Sequence, residues 1–123
     1  EKMHEKVRTE LWGYAKDESL KNEELIKEKY IGIRPAPGYP SCPDHSEKIA
    51  LFNLLDIKNN SKLELTGSYA VYPASSVSGW YFSHPESRYF GISRINEEQL
   101  IDYANRKKMD KGKLVKIFPQ IID

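Results

Sequence analysis

The sequence predicts an α+β fold, a mostly antiparallel twisted sheet flanked by helices, and three observations carry that expectation. Apolar residues recur at helical spacing towards both ends of the chain, and four short β-patterned runs lie between residues 63 and 92. Strands and helices do not alternate in the way that builds a parallel sheet. The 123 residues make one domain at most, so 1–123 is read as a single domain or part of one.

Met3, Val7, Leu11 and Trp12 recur at helical spacing among charged residues, which predicts a helix stopping near Gly13. Asn22, ahead of Glu23 and Glu24, reads as an N-cap with acids at the positive end of a dipole, so a second helix is expected over 23–29. Between Ile31 and Pro43 lie four of the seven prolines and two glycines. Each proline fixes its own φ and biases its predecessor away from helix. The expectation is a stiff, extended loop whose backbone groups are not consumed by secondary structure, unusual unless something lies along it.

Pro43-Asp44 should open a third helix carrying Ile49, Leu51, Phe52, Leu54 and Leu55 and ending near Asn59-Asn60. Strands are expected over 63–66, 69–72, 77–82 and 88–92, the last two as a hairpin across Ser83–Ser87. Gly79 and Gly91 suggest bulges or a close approach. Asn96 should cap a fourth helix to about Lys107, with Leu100, Ile101, Tyr103 and Ala104 on its buried side. Asp110 should cap a short fifth that buries Leu114, Val115 and Phe118 before Pro119.

Composition narrows the function classes. Nineteen basic residues against 18 acidic ones are interspersed, without the basic stripe of a nucleic-acid binder. No apolar run approaches the roughly 20 residues of a spanning helix, and the charged N-terminus lacks the core of a signal peptide. One cysteine, Cys42, excludes an internal disulfide framework and fits a reducing compartment, so a cytoplasmic protein is expected. The chain opens without an initiator Met and within a helical pattern, which reads as a piece of a longer protein.

Cys42-Pro43-Asp44-His45 has the spacing of half a metal site, but a closed zinc site needs four ligands and only His4 and His84 remain besides carboxylates. No metal site is expected. Cys42 and His84 could be paired on paper for nucleophilic catalysis, yet no local signature supports it, and no catalytic residue is expected. The Gly32–Gly38 run lacks the Lys-Ser/Thr of a phosphate loop. Trp80-Tyr81-Phe82 and Tyr89-Phe90 would be core on one strand face and a stacking surface on the other. Arg34, at the head of the rigid loop, carries a planar fork suited to a carboxylate or phosphate, although a surface ion pair is the commoner fate. Taken alone, these features stop short of a reaction.

Two long motifs go further. Arg34-Pro35-Ala36-Pro37-Gly38-Tyr39-Pro40-Ser41-Cys42-Pro43 resembles the RxxxGY signature of the reactivation domain of cobalamin-dependent methionine synthase. Ser76-Val77-Ser78-Gly79-Trp80-Tyr81-Phe82-Ser83-His84-Pro85, trailed by Ser87-Arg88-Tyr89-Phe90, is similar to a second stretch of the same domain. The likeness runs from Glu5-Lys6-Val7-Arg8 and Trp12-Gly13-Tyr14-Ala15 to Asp102-Tyr103-Ala104, nearly the whole chain.

The resemblance implies binding of S-adenosylmethionine (AdoMet) beside the sheet. Arg34 would hold the methionyl carboxylate, the backbone from Ala36 through Gly38 to Tyr39 would lie along the adenosyl part, and Tyr89 and Phe90 would complete the wall. Phe90 stands where the family has a second Tyr, which puts a hydroxyl contact there in question. Tyr39 would face the corrin. The implied task is reactivation of cob(II)alamin by one electron and a methyl group from AdoMet. The implied partners are the cobalamin-binding domain, which holds the cobalamin, and flavodoxin or a flavodoxin-like reductase. The family's domain is about twice this length, so 1–123 is expected to be its C-terminal part, the N-terminal part supplying further acidic ligand contacts, and the isolated piece is expected not to be catalytic. A non-enzymatic module that docks a partner through the Pro-rich loop is the alternative. A self-sufficient AdoMet methyltransferase is disfavoured, since no glycine-rich strand-helix fingerprint is present.

Overall fold

The computed structural model describes residues 1–117 and Ile122. The chain divides into two compact units, one formed by Glu1–Pro35 with Gly79–Tyr89, the other by Ala36–Ser78 with Phe90–Asp123.

In the first unit, helix α1 (Lys2–Lys6) runs directly into a π-helical turn over Val7–Leu11. The Trp12 N–H reaches back five residues to the Val7 carbonyl at 2.9 Å, and the helix stops before Gly13 as expected. Its buried face differs from the predicted stripe. Val7 is buried, but Met3, Leu11 and Trp12 are exposed, and His4 and Arg8 point inward instead. Two causes account for this: the π turn shifts the register of the face, and partners within the unit make burial of two polar side chains affordable. His4 stacks on Tyr81 and meets Tyr30 edge-on, both with ring centroids 5.0 Å apart. Arg8 is paired with Glu18 and Glu1.

Helix α2 (Asn22–Ile26) begins one residue earlier than expected. Lys21 is the capping position: its N–H donates to the Glu24 carboxylate at 3.0 Å, and its carbonyl accepts from the Glu24 N–H. Asn22 is therefore the first helical residue rather than the cap. The helix ends at Ile26, short of 29, as Glu28 takes a left-handed conformation (φ 54°).

Phe82 pairs antiparallel with Ile33 through reciprocal N–H···O bonds of 2.9 Å, and the Trp80 N–H donates to the Pro35 carbonyl at 2.9 Å. This corrects the expected hairpin. The 77–82 run finds its partner in the proline-rich segment, and 88–92 forms no strand. Gly32 permits the pairing. It sits at φ +81°, and a Cβ there would come within 2.2 Å of the Phe82 carbonyl oxygen.

In the second unit, α3 (Glu47–Leu54) starts three residues after Asp44, whose carboxylate accepts from the Ser46 N–H at 2.7 Å in a turn that leads into the helix. A left-handed Asp56 (φ 47°) separates α3 from α4 (Ile57–Asn60), so the single expected helix is two. Strands β1 (Glu64–Leu65) and β2 (Val71–Tyr72) pair antiparallel with Glu64 opposite Tyr72 and Leu65 opposite Val71. Helix α5 (Glu97–Lys107) is capped by Asn96, whose side chain accepts from the Gln99 N–H at 2.9 Å while the Gln99 side chain accepts from the Asn96 N–H. Asp110 accepts from the Lys113 N–H at the start of α6 (Lys111–Ile117).

Leu100, Ala104 and Leu114 form the core of this unit, with Ile95, Tyr103, Met109, Val115, Ile117 and Ile122 packed around them. Ile101, expected inside, is 44% exposed. Phe118 and Pro119 lie outside the described residues. Among the described residues the α+β class holds, while the sheet reduces to two short strands, the proline-rich segment taking up neighbours that a larger sheet would have used.

A buried ionic cluster fastens α5 to the approach to α3. Lys107 Nζ lies 2.5 Å from Asp44 Oδ2, 2.7 Å from Ser46 Oγ and 2.8 Å from Glu47 Oε1. The Tyr103 hydroxyl adds contacts of 2.8 Å to Asp44 and 2.7 Å to Glu47.

Candidate ligand-binding residues

Arg34 and Tyr89 meet in the first unit. The Arg34 backbone N–H donates to the Tyr89 hydroxyl oxygen at 2.9 Å, and that oxygen is 2.8 Å from the Tyr30 hydroxyl. Burial, followed by the bond to Tyr89, pushes the Tyr30 phenol well above its ordinary pKa. The Tyr30 ring carries two guanidinium groups, with Arg8 Cζ 4.9 Å and Arg34 Cζ 5.6 Å from its centroid.

A chain of alternating charges links these groups. Glu1 Oε2 lies 2.6 Å from Arg34 Nη1, and its Oε1 lies 3.1 Å from Arg8 Nη2. Arg8 Nε donates to Glu18, whose other oxygen accepts from the Ile31 N–H at 3.0 Å. Accessibility differs sharply along the chain. The side chains of Arg8 and Glu18 are 1% and 9% exposed, against 24% for Glu1 and 35% for Arg34. Among the described residues no partner meets Arg34 Nε or Nη2, so one edge of its fork is open to an incoming carboxylate.

Beside this chain, His4 Nε2 lies 3.3 Å from the Tyr14 hydroxyl. Burial, then the positive charge of Arg8, lowers the His4 pKa to about 4, and its ring is neutral at pH 7.

The second unit holds Ala36, Gly38, Tyr39 and Phe90. The Tyr39 N–H donates to the Ala36 carbonyl at 3.2 Å, the Gly38 N–H to the Cys42 carbonyl at 2.7 Å, and the Cys42 N–H to the Tyr39 carbonyl at 2.8 Å. The loop backbone is therefore partly consumed by its own turns, a correction to the expected bare ribbon. Ala36 is buried, whereas the rings of Tyr39 and Phe90 are 64% and 61% exposed and accessible for stacking. Gly38 sits at φ +97°, and a Cβ there would collide with the His45 imidazole at 2.1 Å. That imidazole is held in turn by Lys48, whose Nζ lies 3.2 Å from His45 Nδ1 and 2.9 Å from the Tyr69 carbonyl. Gly91 packs against Pro40 at ordinary contact distance, and the Ile92 N–H donates to the Pro40 carbonyl.

Burial, with the nearby carboxylates of Glu47 and Asp44, raises the Cys42 pKa, the opposite of an activated thiol. Among the described residues no three His, Cys, Asp or Glu side chains are grouped to hold a metal ion, and no helix is long and apolar enough to cross a membrane.

Sequence reasoning singled out Arg34 but missed Glu1, Arg8 and Tyr30. A signal was present for two of them: Glu1 and Arg8 stand two helical turns apart, on one helix face with His4.

The profile of the family described as "Vitamin B12 dependent methionine synthase, activation domain" matches residues 1–108. A crystal structure of the MetH reactivation domain bound to AdoHcy superposes with a TM-score of 0.90 at 48% sequence identity. The match covers 98% of this chain and 37% of that one. With most of its length matched by that profile, the chain belongs to the family of the activation domain of vitamin B12-dependent methionine synthase.

Proposed function

We propose that this chain binds AdoMet and presents its methyl group to cobalamin in the reductive methylation that reactivates cobalamin-dependent methionine synthase. The observation that carries the reading is the half-open guanidinium of Arg34, paired on Nη1 and unpartnered on its other edge among the described residues. The 48% identical structure bound to AdoHcy adds support, since AdoHcy is what remains of AdoMet once the methyl group has left.

Arg34 takes the carboxylate of the methionyl tail, and Tyr89 fixes the backbone from which Arg34 projects. The turn from Ala36 through Gly38 to Tyr39 and the exposed Phe90 ring accept the adenosyl part by backbone contacts and stacking. Tyr39, with most of its ring exposed, faces the corrin. Cobalamin, held by the cobalamin-binding domain of the parent enzyme, supplies the cobalt that accepts one electron and the methyl group. The electron comes from flavodoxin or a flavodoxin-like reductase, and the setting is cytoplasmic.

The work of this chain is then to orient. Holding two reactants in register is worth up to about 7–11 kcal/mol when a bimolecular step becomes effectively unimolecular. Methyl transfer from a sulfonium needs no proton transfer, so the chain requires no acid or base. Calorimetry with AdoMet tests the reading. Binding is expected, and Arg34→Lys should weaken it roughly tenfold or more, since an ammonium cannot form the two-pronged contact. Absence of heat with AdoMet and AdoHcy, or unchanged affinity in Arg34→Lys, would overturn it.

A further inference from the structure

We propose that Tyr30 is a positioning residue: it holds Arg34 at two points, the guanidinium through its ring and the backbone through the Tyr89 hydroxyl, and so aims the fork at the ligand's carboxylate. The inference rests on the AdoMet-binding reading above and adds a residue that acts through Arg34 rather than on the ligand.

The backbone at Arg34 is paired on one side only. Ile33 exchanges both of its bonds with Phe82, and the Pro35 carbonyl accepts from Trp80. Residues of an antiparallel pair alternate between exchanging bonds and facing away. The Arg34 N–H is therefore turned from that partner, and the Tyr89 hydroxyl oxygen accepts it at 2.9 Å. That oxygen is held in turn by the Tyr30 hydroxyl, 2.8 Å away.

The side chain needs a support of its own. Its ion pair with Glu1 is made at Nη1, which fixes one point of a planar fork but not its plane. The Tyr30 ring lies under the guanidinium, with Arg34 Cζ 5.6 Å from its centroid, within reach of a cation–π contact. That ring is a rigid support. It is 6% exposed, meets the His4 ring edge-on at 5.0 Å and carries the enclosed Arg8 guanidinium at 4.9 Å. A two-pronged contact with a carboxylate demands that the fork be in plane with it, and a fork already held loses less freedom on binding.

Calorimetry on wild type, Tyr30→Phe and Tyr30→Leu compares AdoHcy with its decarboxylated analogue, which keeps the amine and lacks the group that Arg34 reads. The ratio of the two affinities isolates the carboxylate contact. A variant that only disturbs packing, or shifts Tyr89 against the adenosyl part, lowers both affinities alike. Wild type should prefer AdoHcy by roughly tenfold or more, the scale of a charge-assisted contact. Tyr30→Phe breaks the link to Tyr89 but keeps the ring, and should reduce that preference about twofold. Tyr30→Leu removes both supports and should reduce it about fivefold or more. Tyr30→Phe differs from wild type by one oxygen atom, and its ratio decides alone should Tyr30→Leu fail to fold. Ratios equal to that of wild type make Tyr30 a packing residue and overturn this inference while leaving AdoMet binding standing. Equal binding of the two ligands by wild type removes the role of Arg34 as well, and failure of wild type to bind AdoHcy removes the whole reading.

Discussion

Replacing Lys107 by Met removes the cation from a cluster in which Asp44 is 3% exposed. In the native protein burial pushes the Asp44 carboxyl up, but bonds from Lys107, Ser46 and Tyr103 outweigh it and hold the group below its ordinary value of 3.8. Burial likewise works against the charge on Lys107, yet its bonds to Asp44 and Glu47 leave its pKa raised. Lys107→Met strands a carboxylate in the interior with only neutral partners, the Tyr103 hydroxyl and the hydroxyl and amide of Ser46. Loss of one member of a buried ion pair costs about 3–5 kcal/mol; with the Lys107 and Glu47 side chains 14% and 28% exposed, the lower end applies. That corresponds to a fall in Tm of roughly 10 °C for a domain of this size.

Urea unfolding followed by circular dichroism, run at pH 7 and at pH 3, reads both the size and the sign. A depressed carboxyl pKa stabilises the fold above the unfolded value and loses that contribution as pH falls through the folded one. The native protein should therefore weaken on acidification. In Lys107→Met, desolvation dominates Asp44, and protonation should relieve part of the damage. Asp44→Asn added to Lys107→Met should restore stability at pH 7. A loss below about 1 kcal/mol, together with an unaltered acid profile, would refute the reasoning.

His4 gives a second pH signature of opposite chemistry. Its folded pKa of about 4 lies below the ordinary 6.5, so the unfolded chain takes up a proton that the folded chain refuses. The contribution of the neutral ring is complete above pH 6.5 and is lost as pH falls to about 4, a change of about 3 kcal/mol across the window. His4→Gln should flatten stability against pH over that range, measured by urea unfolding; an unchanged slope would show that another group titrates there. Phe90→Tyr places a hydroxyl on a ring that is 61% exposed. Affinity for AdoMet by calorimetry should stay within about threefold of wild type, and a larger shift in either direction would show that the position is polar in function.

What the sequence made legible was local. The α5 cap could be read from Asn96 because an N-cap acts within the first turn of its own helix, to which the structure adds Gln99 as the returning half of a capping box. Arg34 stood out because four prolines nearby stiffen its segment. Pairing partners were not legible. Trp80-Tyr81-Phe82 has the composition of a strand, but the choice of Ile33 over 88–92 is a long-range outcome that Gly32 permits through a single missing Cβ. The inward turn of Arg8 was hidden for a related reason. A charged residue in an amphipathic stripe reads as solvent-facing, and only three-dimensional placement reveals Glu18, Glu1 and the Tyr30 ring around it. The Tyr89 hydroxyl beneath the Arg34 backbone joins residues 55 apart in sequence, beyond the reach of any spacing argument.

The proline-rich segment has one more property. Pro35 and Pro40 each lend a carbonyl to a neighbour, to Trp80 and Ile92 respectively, and neither has an amide hydrogen to offer in return. A ribbon built this way is a poor template for the backbone of another molecule, since the donors that would propagate a ladder are missing at every proline. The prolines thereby make this stretch a poor edge for pairing with a second copy of itself.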